Sequence, residues 1–143
     1  MSSFALTLGV VLQAAFAAAP AALQVSTAGS QLQFDPKELT VHAGQAVSLT
    51  FVNGASPDSN LDHTWALVAP GKAGEVSAGS AAAGRDQDYV SKSPDVLAHT
   101  HLVKPGAHET IHFTAPKTPG DYPYLCTYPA HYPAMTGVLK VVP

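Results

Sequence analysis

The sequence predicts an all-β fold, a Greek-key β-sandwich or barrel carrying one short helical flap between strands. Three observations lead there. Apolar and polar residues alternate with period two through most of the chain after Gln31. Turn signals rich in Gly and Pro separate the alternating runs. The one long stretch without alternation, between Pro70 and Pro94, is built mainly from Ala, Gly and Ser. The 143 residues fit a single domain, and a composition of 46% hydrophobic against 12% charged residues marks a core-forming chain. Seven Lys and Arg against ten Asp and Glu leave a formal charge of −3, which excludes a protein that grips nucleic acid through its phosphates. The single cysteine, Cys126, excludes an internal disulfide and a multi-cysteine zinc site.

Taken in order, the chain opens without a charged side chain until Asp35. A short apolar run from Phe4 to Val11 and the small residues after it resemble a secretory signal over residues 1–22. Ala15-Phe16-Ala17 and Ala19-Pro20-Ala21 offer two small-x-small cleavage points. The expected destination is the periplasm or another extracytoplasmic space, with the leader either removed or kept as a membrane tether, and residues 23–143 forming the domain. Strand patterns follow. Leu32 and Phe34 alternate with Gln31 and Gln33; Leu39, Val41 and Ala43 with Thr40 and His42; Val47, Leu49 and Phe51 with Ser48 and Thr50. His63, Trp65 and Leu67 share one parity. Ile111, Phe113 and Ala115 alternate with Thr110, His112 and Thr114, then Tyr122, Tyr124 and Cys126 share a face, and Leu139 and Val141 close the chain. Such short strands joined by tight turns argue for a sandwich with Greek-key links.

The chemistry gathers near the C-terminus. Cys126, His131 and Met135 place a thiol, an imidazole and a thioether within ten residues. The cysteine leaves its strand where a loop begins, Pro129 and Pro133 restrict that loop, and a strand at each end lets it return His131 and Met135 toward the sulfur. Thiolate and thioether favour Cu(I), imidazole accepts either oxidation state, and two histidines with a cysteine and a distant methionine mark an electron-transfer copper site. The second histidine has to come from elsewhere. His63 is the best candidate, at the start of a strand and after a polar, turn-rich loop.

At these residues the sequence resembles the blue copper proteins (cupredoxins) of the azurin and auracyanin type. The run Cys126-Thr127-Tyr128-Pro129-Ala130-His131 with Met135 is similar to the azurin ligand loop. Asp35 to Gln45 is similar to the second-strand region of auracyanin-like sequences, and Ala98 to Val103 to the azurin strand that follows its flap. The resemblance implies one type 1 copper held by His63, Cys126, His131 and Met135, with Asp62 supplying a possible weak backbone ligand. It departs at two positions. Thr64 stands where the family usually has an Asn that braces the cysteine loop, and Asp62 where azurin has Gly.

The implied function is a type 1 copper electron-transfer protein that shuttles single electrons between redox partners; a copper-binding carrier or storage module with the same ligands is the alternative. Leu61, Tyr128, Pro129, Ala130, Tyr132 and Pro133 are expected to form an apolar collar around the edge of His131, where a monomer would dock briefly with partner proteins. No Ser-His-Asp set, paired carboxylates or phosphate-binding glycine loop points to an enzyme or to a small-molecule substrate. His42 and His112 fall on the wet faces of their strands, and His108 in a turn. His99 and His101 share one face; two solvated imidazoles are expected there, with capture of a stray metal ion as the other reading.

Overall fold

Most of the alternating runs become strands of two stacked sheets in the computed structural model, which describes residues 18–143; of the first run only Phe34 does, Gln31 to Gln33 lying in a bend before it. Strands β1 (Ala21–Thr27), β2 (Phe34–Asp35), β4 (Ala46–Val52) and β7 (His108–Thr114) form the first sheet, in the order β2-β1-β4-β7. Strands β3 (Glu38–His42), β9 (Thr136–Val142), β8 (Gly120–Leu125), β5 (Ala66–Val68) and β6 (Val96–His99) form the second, in that order. The chain therefore changes sheet repeatedly rather than running hairpin after hairpin. Two of the pairings, β1 with β4 and β3 with β9, are parallel. The fold class is the expected all-β sandwich with a helical flap.

Strand β1 is an addition to the sequence reading. Leu23 and Val25 lie opposite Leu49 and Phe51, so their apolar faces join the core through a parallel pairing. Its first residues, Ala21 and Ala22, fall within the range assigned to the leader; residues 1–17 of that range lie outside the described residues. Strand β7 also begins earlier than its pattern indicates. His108 sits in the ladder opposite Val52 rather than in a turn, although its side chain is exposed as a turn residue's would be. His42 and His112 are exposed, as alternation requires.

The inward faces meet in an aromatic spine. Phe34 packs edge-on against Phe51 and Tyr124, and Trp65 lies between Tyr124 and Phe113 at centroid distances of 5.5 and 5.9 Å. The Tyr124 hydroxyl donates to the Pro36 carbonyl at 2.7 Å, which ties β8 to the turn before β3. Gly137 lies opposite Tyr124, and a Cβ there would stand 2.2 Å from the ring, so only glycine lets the tyrosine lie across β9.

The flap is helix α1 (Ala73–Ala83), followed by a single 3-10 turn at Arg85–Gln87. Val76 joins Val68 and Leu125 in a small cluster beside the main core. Asp88 and Tyr89 then take consecutive left-handed conformations (φ 54° and 53°), held by amide bonds to the carbonyls of Arg85 and Gly84. Among the described residues no helix is long and apolar enough to cross a membrane.

Candidate metal centre

His63 is set in place by backbone pairing rather than by a long strand. It exchanges two amide–carbonyl bonds with Val103, at 3.1 and 2.8 Å. The loop before it is held by Asn53, whose amide donates to the carbonyls of Leu61 (2.8 Å) and Val103 (2.9 Å) and whose oxygen accepts from the Ala55 N–H (3.1 Å). Sequence reasoning passed over Asn53, yet a signal was there. It continues the inward parity of Val47, Leu49 and Phe51, and a buried amide in that series has to be hydrogen-bonded.

The other side of the site is the loop after β8. The Cys126 amide donates to the Met135 carbonyl, the Met135 amide to His131 and the His131 amide to Tyr128, at 3.1, 2.9 and 3.1 Å. Three of the expected metal-binding residues are thus wired to one another through the main chain. Ala130, at φ 67°, makes the reversal inside this loop.

These two segments bring His63, Cys126 and His131 together, with donor atoms all within 4.8 Å of one another; among the described residues no other set of three His, Cys, Asp or Glu does so. The two Nδ1 atoms are 3.2 Å apart, and the Cys126 sulfur stands 3.7 Å from His63 Nδ1 and 3.5 Å from His131 Nδ1. A point equidistant from three atoms at those separations lies about 2.0 Å from each, against roughly 2.0–2.3 Å for ordinary bonds from a borderline metal to nitrogen and sulfur. The donor triangle therefore has the dimensions of a trigonal metal site. Met135, fully buried, lies in the same loop.

Electrostatics agree with that fit. His63 is completely buried, and its pKa is pushed down to about 4, first by desolvation and then by His131. Burial also lowers His131. Both rings are neutral at pH 7 and present lone pairs instead of positive charge. Burial raises the Cys126 thiol, opposed by hydrogen bonds led by the Thr64 N–H, which points at the sulfur from 3.4 Å. A cation would reverse the balance at the thiol, because metal binding requires the thiolate. Two imidazoles, a thiol and a thioether favour copper over the hard cations that take oxygen ligands.

Around the triangle the departures from the family pattern acquire structural content. Thr64 Oγ1 accepts the Thr127 N–H at 2.8 Å and pairs with Thr127 Oγ1 at 2.7 Å, all of it buried. The hydroxyl braces the cysteine loop in place of an amide. Asp62 turns its carboxylate to Arg85, whose two terminal nitrogens both lie 3.2 Å from one oxygen. The Arg85 guanidinium sits 6.0 Å from the centre of the Tyr89 ring, Tyr89 packs edge-on against Tyr128 at 5.0 Å, and Tyr128 lies 4.6 Å from His131. The flap thus reaches the edge of the metal centre, a connection its Ala-Gly-Ser composition gave no sign of. Of the expected collar, Leu61, Tyr128, Pro129 and Tyr132 are half-buried, and Ala130 and Pro133 are exposed. Tyr132 packs against the cluster under the flap. His131 keeps 7% exposure where His63 and Cys126 have none.

Known proteins resemble this chain in sequence and fold. The family of copper binding proteins described as plastocyanin/azurin matches residues 21–142. Auracyanin-A of Chloroflexus aurantiacus is 35% identical over 125 residues, 85% of this chain and 75% of that protein. Azurin-1 of Alcaligenes xylosoxydans xylosoxydans is 35% identical over 127 residues, 82% of this chain and 96% of its own. The crystal structure of dithionite-reduced auracyanin from the photosynthetic bacterium Roseiflexus castenholzii superposes with a TM-score of 0.79 at 36% identity, over 88% of this chain and all of that one.

Proposed function

The chain belongs to the plastocyanin/azurin family of copper-binding proteins, and on that premise we propose that it is a type 1 copper electron carrier, not an enzyme, with His63, Cys126, His131 and Met135 as the copper ligands. The observation that carries the reading is the donor triangle of two neutral imidazole nitrogens and one sulfur, buried and of metal-site size. Bound copper supplies one-electron exchange between Cu(I) and Cu(II). The chain's own residues do the rest. Thr64 and Thr127 hold the cysteine loop, Val103 and Asn53 hold His63, and the sandwich lets neither move far. Such a frame would hold the ligand side chains alike in both oxidation states, which would keep the reorganisation that opposes electron transfer small. The Asp62 carbonyl would serve as a weak additional donor to the bound ion, in a loop steadied through the carboxylate by Arg85.

Partners dock at the edge of His131, the ring that retains exposure, within the collar of Leu61, Tyr128, Pro129, Ala130, Tyr132 and Pro133. Contact there is brief and the carrier is a monomer. Export precedes function: residues 1–17 act as the secretory leader, because cleavage after Ala17 leaves β1 whole whereas cleavage after Ala21 removes its first residue.

Adding Cu(II) to the purified protein tests the central claim. An intense blue thiolate-to-copper charge-transfer band should appear, and Cys126→Ser should abolish it. A colourless copper complex, or a blue one that survives loss of the thiol, would refute the assignment.

A further inference from the structure

On the outer edge of the second sheet lies another pair of histidines that the electron-transfer reading does not use. His99 ends the edge strand β6 and His101 follows two residues later, both exposed, with Thr100 turned inward between them. Their Nδ1 atoms are already committed. His99 Nδ1 donates to the Thr100 carbonyl at 2.9 Å, and His101 Nδ1 donates to Glu109 Oε1 at 2.8 Å. The acceptors are a carbonyl and a carboxylate, so each neutral ring must carry its proton on Nδ1 and leave Nε2 as a bare lone pair. Glu109 also accepts the His101 backbone N–H through its other oxygen, at 2.8 Å, and so clamps the residue at two points. A ring N–H held by a carboxylate or a carbonyl is the support that metal-binding histidines ordinarily have.

Both rings line one shallow cavity, together with Gln87, Asp88, Ser91 and Lys92. Asp88 is held there by its left-handed backbone, close enough for its charge to favour protonated His101. We propose that His99 Nε2, His101 Nε2 and the Asp88 carboxylate form a second, surface site for a borderline divalent cation: Cu(II), Zn(II) or Ni(II). Residues i and i+2 of an extended segment point the same way, which suits a chelate across one cation. The three donors do not already lie within 4.8 Å of one another as those of the buried centre do, so binding closes the site by rotating exposed side chains. Lys92 opposes the cation; Asp88 and Glu109 offset it. Two imidazoles and one carboxylate exclude Ca(II) and Mg(II), which want oxygen ligands.

Zn(II) titrated calorimetrically into the copper-loaded protein tests the site without disturbing the blue centre. One equivalent should bind. His99→Gln and His101→Gln should each weaken it at least about tenfold, and Glu109→Gln, which touches no metal, should weaken it about 10–100-fold by freeing the His101 ring. The blue band should stay unchanged throughout, so this proposal and the electron-carrier reading can fail separately. Absence of uptake would overturn the site. So would uptake by both histidine variants as tight as that of the unsubstituted protein, or uptake lost instead in His112→Gln.

Discussion

Two pairs of histidines in one small protein are prepared for opposite tasks. His63 and His131 face each other across 3.2 Å inside the sandwich, while His99 and His101 stand in water on its edge. Burial pushes His63 down to about 4, whereas the hydrogen bond and charge of Glu109 raise His101. The first pair stays neutral because it is dry, and its donors are assembled before any metal arrives. The second keeps its lone pairs by tying up Nδ1, and must close around its cation. Imidazole alone does not decide what a site binds; the dielectric and the groups behind the ring do.

The largest way to sharpen that contrast is to remove ligands from the buried centre one at a time. Cys126→Ser deletes the blue band, as stated above. Met135→Leu should leave the band but raise the reduction potential, because a weak donor that stabilises Cu(II) is lost; cyclic voltammetry of the two proteins reads the shift. An unchanged potential would count against an axial methionine. Neither substitution should alter Zn(II) uptake at the edge.

A smaller effect comes from the scaffold. Thr64→Val removes the acceptor of the buried Thr127 N–H, and an unpaired group of this kind costs about 1–3 kcal/mol. Urea denaturation of the metal-free protein should show that loss. The corresponding change at the edge, Glu109→Gln, leaves no buried group stranded and should stay within about 0.5 kcal/mol.

The subtlest difference is in pH dependence. Between about 4 and the ordinary 6.5, unfolded His63 takes up a proton that the folded chain refuses. The unfolded state binds more protons in that window, so this contribution to stability is present above pH 6.5 and is lost as the pH falls toward 4. His101 tilts the other way. Its folded pKa is raised, so its contribution is complete below 6.5 and is lost as the pH climbs through the raised value. Urea midpoints of the metal-free protein at pH 7 and pH 5 should therefore drop on acidification. The drop should shrink in His63→Leu and grow slightly in His101→Gln.

Much of this was legible in the residues themselves. Period-two alternation placed β3, β4 and the faces of β8 and β9, because a strand with one wet side has no other way to order its side chains. The spacing of Cys126, His131 and Met135 identified the donor loop, since a short loop closed at both ends can only fold back on itself. Strand β1 escaped because its alternation of Ala, Leu and Val is weak beside an Ala-rich leader, and its parallel partner β4 is distant in sequence.

What local pattern cannot express is distance between remote segments. Nothing near His63 announces that Val103 and Asn53 hold it within 3.7 Å of the Cys126 sulfur. Nor does the flap announce Arg85 on Asp62, or Tyr89 on Tyr128. The sequence by itself determined the strand class, the ligand types and the donor loop, because those depend on periodicity and chemistry within a few residues. Only the packing of two sheets decided that the donors form a triangle of bonding size, that its imidazoles are neutral, and that a hydroxyl at Thr64 can brace the cysteine loop, because desolvation and donor separation arise when distant segments exclude water together.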